Sequence, residues 1–415
     1  MNNLLLFFKE FYKNKGLLVF LSLFVEKLTG FLQVVFIARM ISEEDYGLIT
    51  LIASVFGVFV TLNGLGTTQG LLRYGALKQT TEEKVDFASA LFRLGFQKQL
   101  ILVVFFCVVA LFYELKYSSI WLIVCFFAWR LLGFYFYGYI QSFYRITDRN
   151  DKFSQLSIIT NIGGLILLVV LTFLYGQYGY LIGLSFTPWL CLFFYDKQIL
   201  TFVKQNIKEV NMKEFWSYSI NSSLSYFFSE ILFMLDVLII GLFLKEADIA
   251  NYKVAIILPM NLMFIPMIFL QTDLPKIISN SKNKAYLKFY VSNYYKIFIP
   301  LSLLIIFVGF WIKEEVLSFF FGDKYQGNEW VFFTILIAVC FNMCFRNLYG
   351  NLLSAVGLAN KNAIISIVSI VLMLGLCLLF VPTYHILGAA MALAITFIVM
   401  GFCSGILFYN YLKKL

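Results

Sequence analysis

The sequence predicts an all-α polytopic membrane protein in which twelve transmembrane helices form two pseudo-symmetric lobes of six. Composition is the first reason. Of 415 residues, 61% are apolar and only 13% are charged, and the mean hydropathy of +0.85 is typical of an integral membrane protein. Apolar runs of about 20 residues, long enough to cross a bilayer, recur along the whole chain. A polar hairpin and its surroundings occur twice, which indicates an internal duplication.

The apolar runs are continuous rather than alternating. We therefore expect helices, which satisfy their backbone hydrogen bonds internally, and not the strands of a barrel. Residues 1–15 predict a short amphipathic helix on the inner membrane surface, and the run after them is too long for a signal peptide, so it is expected to remain as the first span. The predicted spans are 16–40, 47–69, 91–113, 119–141, 154–175, 178–195, 215–244, 252–271, 291–312, 330–352, 363–382 and 386–409.

The duplication is visible in two ordered sets of matches. The hairpin ISEEDYG at 41–47 is echoed by LKEAD at 244–248, so that Glu43 aligns with Glu246 and Asp45 with Asp248. In a second echo, YG at 137–138 matches YG at 349–350, and DRN at 148–150 matches NKN at 360–362. The sequence therefore predicts an N-lobe at 1–205 and a C-lobe at 206–415, joined by an amphipathic inner connection at 196–214.

The net charge of +9 reflects topology rather than binding to nucleic acid. Lysine and arginine cluster in alternate connections, and the opposite set of connections holds only Lys116, Lys245, Lys313 and Lys324. By the positive-inside rule, both termini are expected to be cytoplasmic. The partner that composition implies is the lipid bilayer.

Soluble-enzyme chemistry has no candidate motif in the sequence. The chain has no phosphate-binding P-loop, no dinucleotide fingerprint, no Gly-x-Ser-x-Gly elbow and only one histidine, His385. Its seven cysteines all lie in apolar runs, where they act as small hydrophobic residues. We expect neither an enzyme nor a cofactor or metal site.

Charged residues inside the predicted spans are the candidates for function. Each costs roughly 3 kcal/mol at the centre of a bilayer, so such groups normally face a protein interior or an aqueous cavity. On the first span, Ser22, Glu26, Thr29 and Gln33 form one polar stripe, and Ser222, Tyr226, Ser229 and Asp236 do so on the seventh. Both stripes are expected to face a shared central cavity. The charged set is Glu26, Lys27, Arg39, Arg130, Glu230, Asp236 and Arg346.

Arg130 and Arg346 lie on the fourth and tenth spans, which correspond in the repeat. A guanidinium group is always charged and offers forked donors to phosphate, so the two arginines could bind a pyrophosphate from opposite lobes. The alternative is that Arg130 pairs with Glu26, and Arg346 with Asp236 or Glu230, in salt bridges that only hold helices together. The fourth span also carries Tyr135, Tyr137 and Tyr139, which could stack on sugar rings, although their position favours an interfacial aromatic belt.

Several short segments carry a resemblance to a known family. ARMISEEDYG at 38–47, NGLG at 63–66 and LLRY at 71–74 resemble the opening hairpin of Wzx-type polysaccharide flippases, and 349–362 resembles the inner turn after that family's tenth helix. These flippases belong to the multidrug/oligosaccharidyl-lipid/polysaccharide (MOP) exporter superfamily. The resemblance covers the chain in length, span number and two-lobe symmetry.

The resemblance implies transport of an undecaprenyl-pyrophosphate-linked oligosaccharide from the inner to the outer leaflet of the bacterial inner membrane, by alternating access, for O-antigen, capsule or exopolysaccharide assembly. A polysaccharide polymerase and glycosyltransferases of the same pathway are the implied partners. Lys27, Arg130 and Arg346 are then the candidates for the pyrophosphate and glycan pathway. The candidates for coupling transport to protons or sodium ions are Glu26, Glu230 and Asp236. The sequence departs from the family at this point, because these three acidic groups do not fit the strongly cationic cavity that the resemblance implies.

Three other functions are consistent with parts of the sequence. A MATE-type ion-coupled multidrug exporter needs cavity carboxylates, which Glu230 and Asp236 could supply, but the hairpin and the Arg73-Tyr74 segment favour the flippase. A lipid II flippase resembles this family but usually has two further helices. A membrane glycan polymerase would be expected to have a large outer loop, and the longest here, at 313–329, is small.

Overall fold

The computed structural model describes residues 16–194, 199–200, 211–267, 270, 277–278 and 280–415. In this part of the chain the secondary structure is helical, with no strand. The predicted helix at 1–15 and most of the predicted connection at 196–214 lie outside the described residues. We number the α-helices as follows: α1 Gly16–Met40, α2 Glu43–Val60, α3 Thr67–Gly75, α4 Thr81–Leu111, α5 Ile120–Ile146, α6 Asn150–Phe186, α7 Met212–Phe243, α8 Glu246–Asn261, α9 Lys284–Phe321, α10 Glu329–Cys344, α11 Arg346–Ala355 and α12 Ala359–Lys414.

The helices confirm the all-α, multi-span prediction. Within the described residues, eight helices are long and apolar enough to cross a membrane, or nine if the two parts of α7, bent by 46°, form one span. Two of the eight, Asn150–Phe194 and Asn360–Lys414, contain a sharp break and are long enough for two crossings each. Together with α1, which is 25 residues long, these helices are consistent with twelve spans.

In both hairpins of the sequence repeat, the residue before the second helix is hydrogen-bonded to the aspartate three positions later, although through different atoms. Ser42 caps α2, and its hydroxyl accepts a hydrogen bond from the Asp45 N–H at 3.1 Å. Asp248 accepts one from the Lys245 N–H, also at 3.1 Å, at the start of α8. Asp45 and Asp248 therefore occupy the third position of their helices, where a carboxylate also favours the positive end of the helix dipole. The register predicted from the sequence repeat thus has a structural counterpart.

A third correspondence between the lobes is seen in the breaks of α6 and α12. Gly176 has φ 59° and ψ −136°, and His385 has φ 53° and ψ −136°. After each break, the next helix packs closely against the preceding one. Three residues after the first break, a Cβ built on Gly179 would lie 1.8 Å from the Leu171 carbonyl oxygen. At the same place after the second break, a Cβ built on Gly388 would lie 2.3 Å from the Phe380 carbonyl oxygen. The two halves thus share a tight hairpin whose local sequence similarity is a tyrosine before the break, Tyr175 or Tyr384, and the glycine after it.

His385 adopts a backbone conformation that glycine accommodates far better than residues with a Cβ. We expect His385→Gly to raise the free energy of unfolding by about 1 kcal/mol, measured by thermal unfolding of the purified protein in detergent. Gly176→Ala is the matched reciprocal variant, because no atom lies within 4 Å of a Cβ built there, so it should be destabilising through the backbone alone. Wild-type stability in both variants would contradict the assignment of strain to these breaks.

The described residues form two compact units. One consists of those up to Asp45 together with Ile52–Glu230, and the other of Tyr46–Leu51 together with Ile231–Leu415. The chain passes from the first unit to the second within α7. The predicted lobe boundary between residues 205 and 206 lies outside the described residues and stays a prediction.

The core of the first unit is aromatic. Tyr135 and Tyr139 on α5 are fully buried, and their hydroxyls donate to the carbonyl oxygens of Phe92, at 2.6 Å, and Ala88 on α4. The expectation that these tyrosines form an interfacial belt was wrong. Their hydroxyls reach carbonyls inside the helix bundle, so they can be buried without leaving a polar group unsatisfied.

A break between α2 and α3 is held by a polar side chain of α4. Gly64, Leu65 and Gly66 have φ values of 57°, 48° and 81°. The buried Gln99 accepts from the Gly64 N–H at 2.7 Å and donates to the Leu131 carbonyl at 2.8 Å. Non-helical backbone is tolerated at membrane depth where protein groups satisfy its hydrogen bonds. Here the Gln99 side chain bonds both to the break at Gly64 and to α5 at Leu131.

Candidate functional site

The polar stripe of α1 faces a cavity inside the first unit. Glu26, Thr29 and Gln33 line this cavity together with residues of α5 and α6, and its volume is about 110 Å³. Gln33 donates from Nε2 to the Tyr180 hydroxyl at 3.2 Å, which fixes the stripe against α6. Glu26, Thr29 and Gln33 therefore share one face of α1, as their spacing predicts, while a central cavity shared with the stripe of the seventh span stays a prediction. We call this space the N-lobe cavity, and its other lining residues are Gly30, Arg130, Phe134, Tyr137, Thr160, Asn161, Gly164, Leu165, Thr187 and Pro188.

Arg130 extends from α5 into the N-lobe cavity. Its guanidinium donates from Nη1 to the Leu184 carbonyl oxygen, and its Cζ lies 5.4 Å from the ring centroid of Phe56 and 5.0 Å from that of Phe134. The Arg130 Nε is buried and has no hydrogen-bond partner within the described residues. The positive charge is thus held by one carbonyl dipole and two ring faces.

Arg130 and Glu26 line the same cavity without forming an ion pair. In the part of the chain that the structure describes, no carboxylate oxygen lies within the 4.0 Å of Arg130 that defines a salt bridge. The structural salt bridge that the sequence left open as an alternative is therefore not formed here. A buried cation without a partner carboxylate retains capacity for an anionic ligand.

The cavity also carries neutral polar groups. The Thr160 hydroxyl is buried without a hydrogen-bond partner within the described residues, and Asn161 donates to the Ser157 carbonyl at 2.8 Å. These groups lie on α6 opposite the α1 stripe. They provide hydroxyl and amide oxygens beside the Glu26 carboxylate, which is a set of oxygen ligands that could bind a proton or a small cation.

Lys27 lies beside Glu26 on α1 and is exposed. It is not among the described residues that line the N-lobe cavity. The structure therefore brings Glu26 and Arg130 of the predicted set together, and Lys27 stands apart from them.

Asp236 is the buried carboxylate of the second unit. It has no exposed surface, and its Oδ2 accepts from the Tyr252 hydroxyl of α8 at 2.6 Å while its Oδ1 accepts from the Val237 N–H at 2.8 Å. Tyr252 is also fully buried. The sequence gives no sign of this contact, because spacing along one helix does not show which side chain of a neighbouring helix meets an acid.

Glu230 is half-buried on α7 and is the last residue of the first unit. Asp236 belongs to the second unit, so the division between the units separates these two predicted coupling residues along one helix. The structure thus gives Asp236 a hydrogen-bond partner, Tyr252. The ion-coupling role of Glu230 stays a prediction.

Arg346 begins α11, directly after the break that ends α10. Its Nη2 donates to the Ser366 hydroxyl at 3.5 Å, and a Cβ on Gly350 would lie 1.9 Å from its Nη1. Gly350 thus makes the space that the guanidinium occupies. Among the described residues, Arg346 forms no ion pair with Asp236. Like Arg130, it is an intramembrane arginine held by neutral groups.

The helical fold is similar to those of solved flippases and multidrug transporters. The structure is similar to "Lipid II flippase MurJ, inward closed conformation", with a TM-score of 0.72 at 17% identity over 94% of this chain and 87% of that chain. It is also similar to the inward-facing conformation of a multidrug resistance MATE family transporter of the MOP superfamily (TM-score 0.64, 15% identity, 94% and 96% covered). The Vibrio cholerae MATE transporter VcmN in the bent form matches with a TM-score of 0.56 at 15% identity over 98% of this chain and 97% of that chain.

The chain belongs to the family described as "Polysaccharide biosynthesis protein", the Wzx-like flippase family of this superfamily, which matches residues 13–265. The match covers α1–α8, and it confirms the resemblance carried by the opening hairpin. A search of curated protein sequences found no significant match. The family and the structural neighbours are transporters and flippases rather than catalysts. The protein is therefore a multi-span membrane protein of polysaccharide biosynthesis.

Proposed function

We propose that this protein is a flippase that moves an undecaprenyl-pyrophosphate-linked oligosaccharide from the inner to the outer leaflet of the bacterial inner membrane. Family membership supports a lipid-linked substrate, and the fold supports transport by alternating access. The glycan units would serve O-antigen, capsule or exopolysaccharide assembly, with a polymerase and glycosyltransferases of that pathway as partners. Both termini would be cytoplasmic, as the distribution of lysine and arginine predicts.

The observation that carries this proposal is the state of Arg130. A guanidinium that is held at a cavity by a carbonyl and two aromatic rings can give its free donors to a phosphate without first breaking an ion pair. Arg346 would play the same part in the second unit, where Gly350 leaves it room. Lys27, exposed on α1, would attract the anionic substrate without being part of the N-lobe cavity.

The acidic residues would couple transport to an ion gradient. Glu26 lies in the N-lobe cavity among hydroxyl and amide oxygens, and Asp236 is buried against Tyr252. Alternating protonation or sodium binding at such sites would change which conformation is favoured. Glu230 is the third candidate. The same carboxylates are the specific observation that favours a MATE-type multidrug exporter as the second candidate function.

The test uses purified protein in liposomes that contain a fluorescent polyprenyl-pyrophosphate glycan. A membrane-impermeant quencher measures how much label changes leaflet. We expect protein-dependent transfer well above that of empty vesicles. Export of a cationic dye under an ion gradient, with no transfer of the lipid-linked glycan, would replace the flippase by the multidrug exporter.

Asp236→Asn should separate transport from its coupling. The asparagine side chain keeps an oxygen that can accept from the Tyr252 hydroxyl, so the helix contact is retained while the negative charge and the titratable proton are removed. We expect leaflet transfer to lose its dependence on an imposed proton or sodium gradient. Tyr252→Phe is the control, since it removes the hydrogen bond but keeps the carboxylate, and it should keep that dependence. Gradient dependence in Asp236→Asn equal to that of the wild type would exclude the coupling role.

A further inference from the structure

The second unit contains a pocket that none of the predicted transport residues lines. Its volume is about 500 Å³, within the usual range for sites that bind small ligands. It lies between α9, the α10–α11 break and the last turns of α12. We call it the α12 pocket, and its lining residues are Tyr295, Phe345, Tyr349, Gly401, Phe402, Gly405, Ile406, Tyr409, Asn410 and Lys413.

Two glycines of α12 shape this pocket. A Cβ on Gly401 would lie 2.8 Å from the Phe341 ring and 2.9 Å from the Phe345 Cβ, and one on Gly405 would lie 3.2 Å from the Tyr349 ring. The sequence motif GxxxG at 401–405 therefore does more than bring two helices together. It places the aromatic rings of α10 and α11 directly against α12 and leaves the space beside them open.

A pair of tyrosine hydroxyls supplies hydrogen-bonding capacity inside the pocket. The Tyr295 and Tyr349 hydroxyl oxygens are 2.6 Å apart, and Tyr349 is 2% exposed. Two hydroxyls carry two protons but share one hydrogen bond, so one O–H remains to donate to a further group, directly or through the adjoining Tyr409. A ligand with acceptor oxygens would satisfy this donor.

The charge and the apolar surroundings define the class of ligand. Lys413 is exposed at the pocket and is its single charged lining residue among those described. Phe402 and Ile406, which are 55% and 60% exposed, continue the pocket as an apolar surface on the outside of α12. A cation, a hydroxyl donor and an adjoining apolar surface together suit a phosphate that carries a hydrocarbon chain.

We propose that the α12 pocket binds the phosphate headgroup of an anionic glycerophospholipid from the leaflet that borders the C terminus of α12. One lysine matches the single negative charge of a phosphodiester, whereas a pyrophosphate carries more charge. The phosphate accepts from Lys413 Nζ and from the tyrosine pair, and one lipid chain follows Phe402 and Ile406. The site is therefore separate from the transport pathway and holds a structural lipid.

The experiment measures lipid binding to the purified, delipidated full chain in detergent by thermal unfolding. We expect phosphatidylglycerol to raise the unfolding temperature at concentrations where phosphatidylcholine does not. Lys413→Gln should weaken the apparent affinity about tenfold, and Tyr349→Phe, which keeps the ring, should weaken it severalfold. Lys414→Gln is the matched control, since Lys414 is exposed beside Lys413 but does not line the pocket.

Three outcomes would overturn the proposal. The first is an equal loss of affinity in Lys413→Gln and Lys414→Gln, which would indicate attraction to the charged end of α12 rather than binding in the pocket. The second is equal stabilisation by inorganic phosphate, which would assign the site to free phosphate. The third is stabilisation by a polyprenyl pyrophosphate in preference to phosphatidylglycerol, which would make the pocket part of the substrate pathway.

Discussion

Arg130→Ala is expected to reduce protein-dependent transfer of the lipid-linked glycan about 100-fold, while the protein still inserts and accumulates. A factor of 100 corresponds to about 2.7 kcal/mol, in the range of a lost charge-assisted interaction in a site shielded from water. The physical reason is that this guanidinium has no carboxylate partner among the described residues, so its donors and charge are available to a phosphate. The liposome assay described above measures the effect.

Two variants control this experiment. Arg130→Lys keeps the charge but loses the forked donors and should recover part of the transport, which a purely structural arginine would not predict. Arg145→Ala changes another arginine of α5, which is exposed and lies over the Phe153 ring at 5.1 Å, and it should transport like the wild type. Normal transport by Arg130→Ala and by Arg346→Ala would remove both arginines from the substrate pathway.

Gly66→Ala is expected to destabilise the fold by roughly 3 kcal/mol, which should appear as a large fall in unfolding temperature and in the yield of monodisperse protein. Two effects add at this position. The backbone has φ 81°, and a Cβ would lie 1.9 Å from the Ser219 carbonyl oxygen and 3.1 Å from the Ser223 hydroxyl of α7. The start of α3 would have to move away from α7, and the polar contacts that hold the break would be lost with it.

Two glycines elsewhere in the chain separate these effects. Gly357 has φ 83° with no atom within 4 Å of a Cβ, so Gly357→Ala should cost only the backbone strain, about 1 kcal/mol. Gly375 lies within α12, also with nothing within 4 Å, and Gly375→Ala should raise stability by about 0.5–1 kcal/mol because alanine favours the helix. A Gly66→Ala variant no less stable than Gly357→Ala would show that α3 and α7 are not in tight contact.

The polar stripe of α1 illustrates what helical spacing can predict. Glu26, Thr29 and Gln33 were expected on one face because residues three and four apart share it, and they line one cavity in the structure. The same reasoning could not say what lies opposite. Tyr180, which accepts from Gln33, and Leu184, which accepts from Arg130, belong to a part of the chain whose sequence gives no sign of either contact.

Gln99 and Gly388 differ in how much their sequence context indicates. Gln99 follows Gln97 and Lys98 inside the predicted span 91–113, and polar groups at that depth are costly in a membrane unless the protein satisfies them. In the structure Gln99 holds the break beside Gly64. The tyrosine and glycine shared by 175–179 and 384–388 mark a third element of the repeat, but two matching residues in apolar sequence carry too little information without the backbone angles.

The sequence by itself determined that this chain spans a membrane as helices, that a polar hairpin occurs twice and which charges inside apolar runs need an explanation. These properties follow from composition and period, because a bilayer rejects polar backbone and side chains regardless of what packs beside them. The tertiary structure alone decided the partners: a carbonyl and two rings for Arg130, Tyr252 for Asp236 and an aromatic pocket beside the glycines of α12. Such contacts join residues far apart in the chain, and they depend on the packing of whole helices.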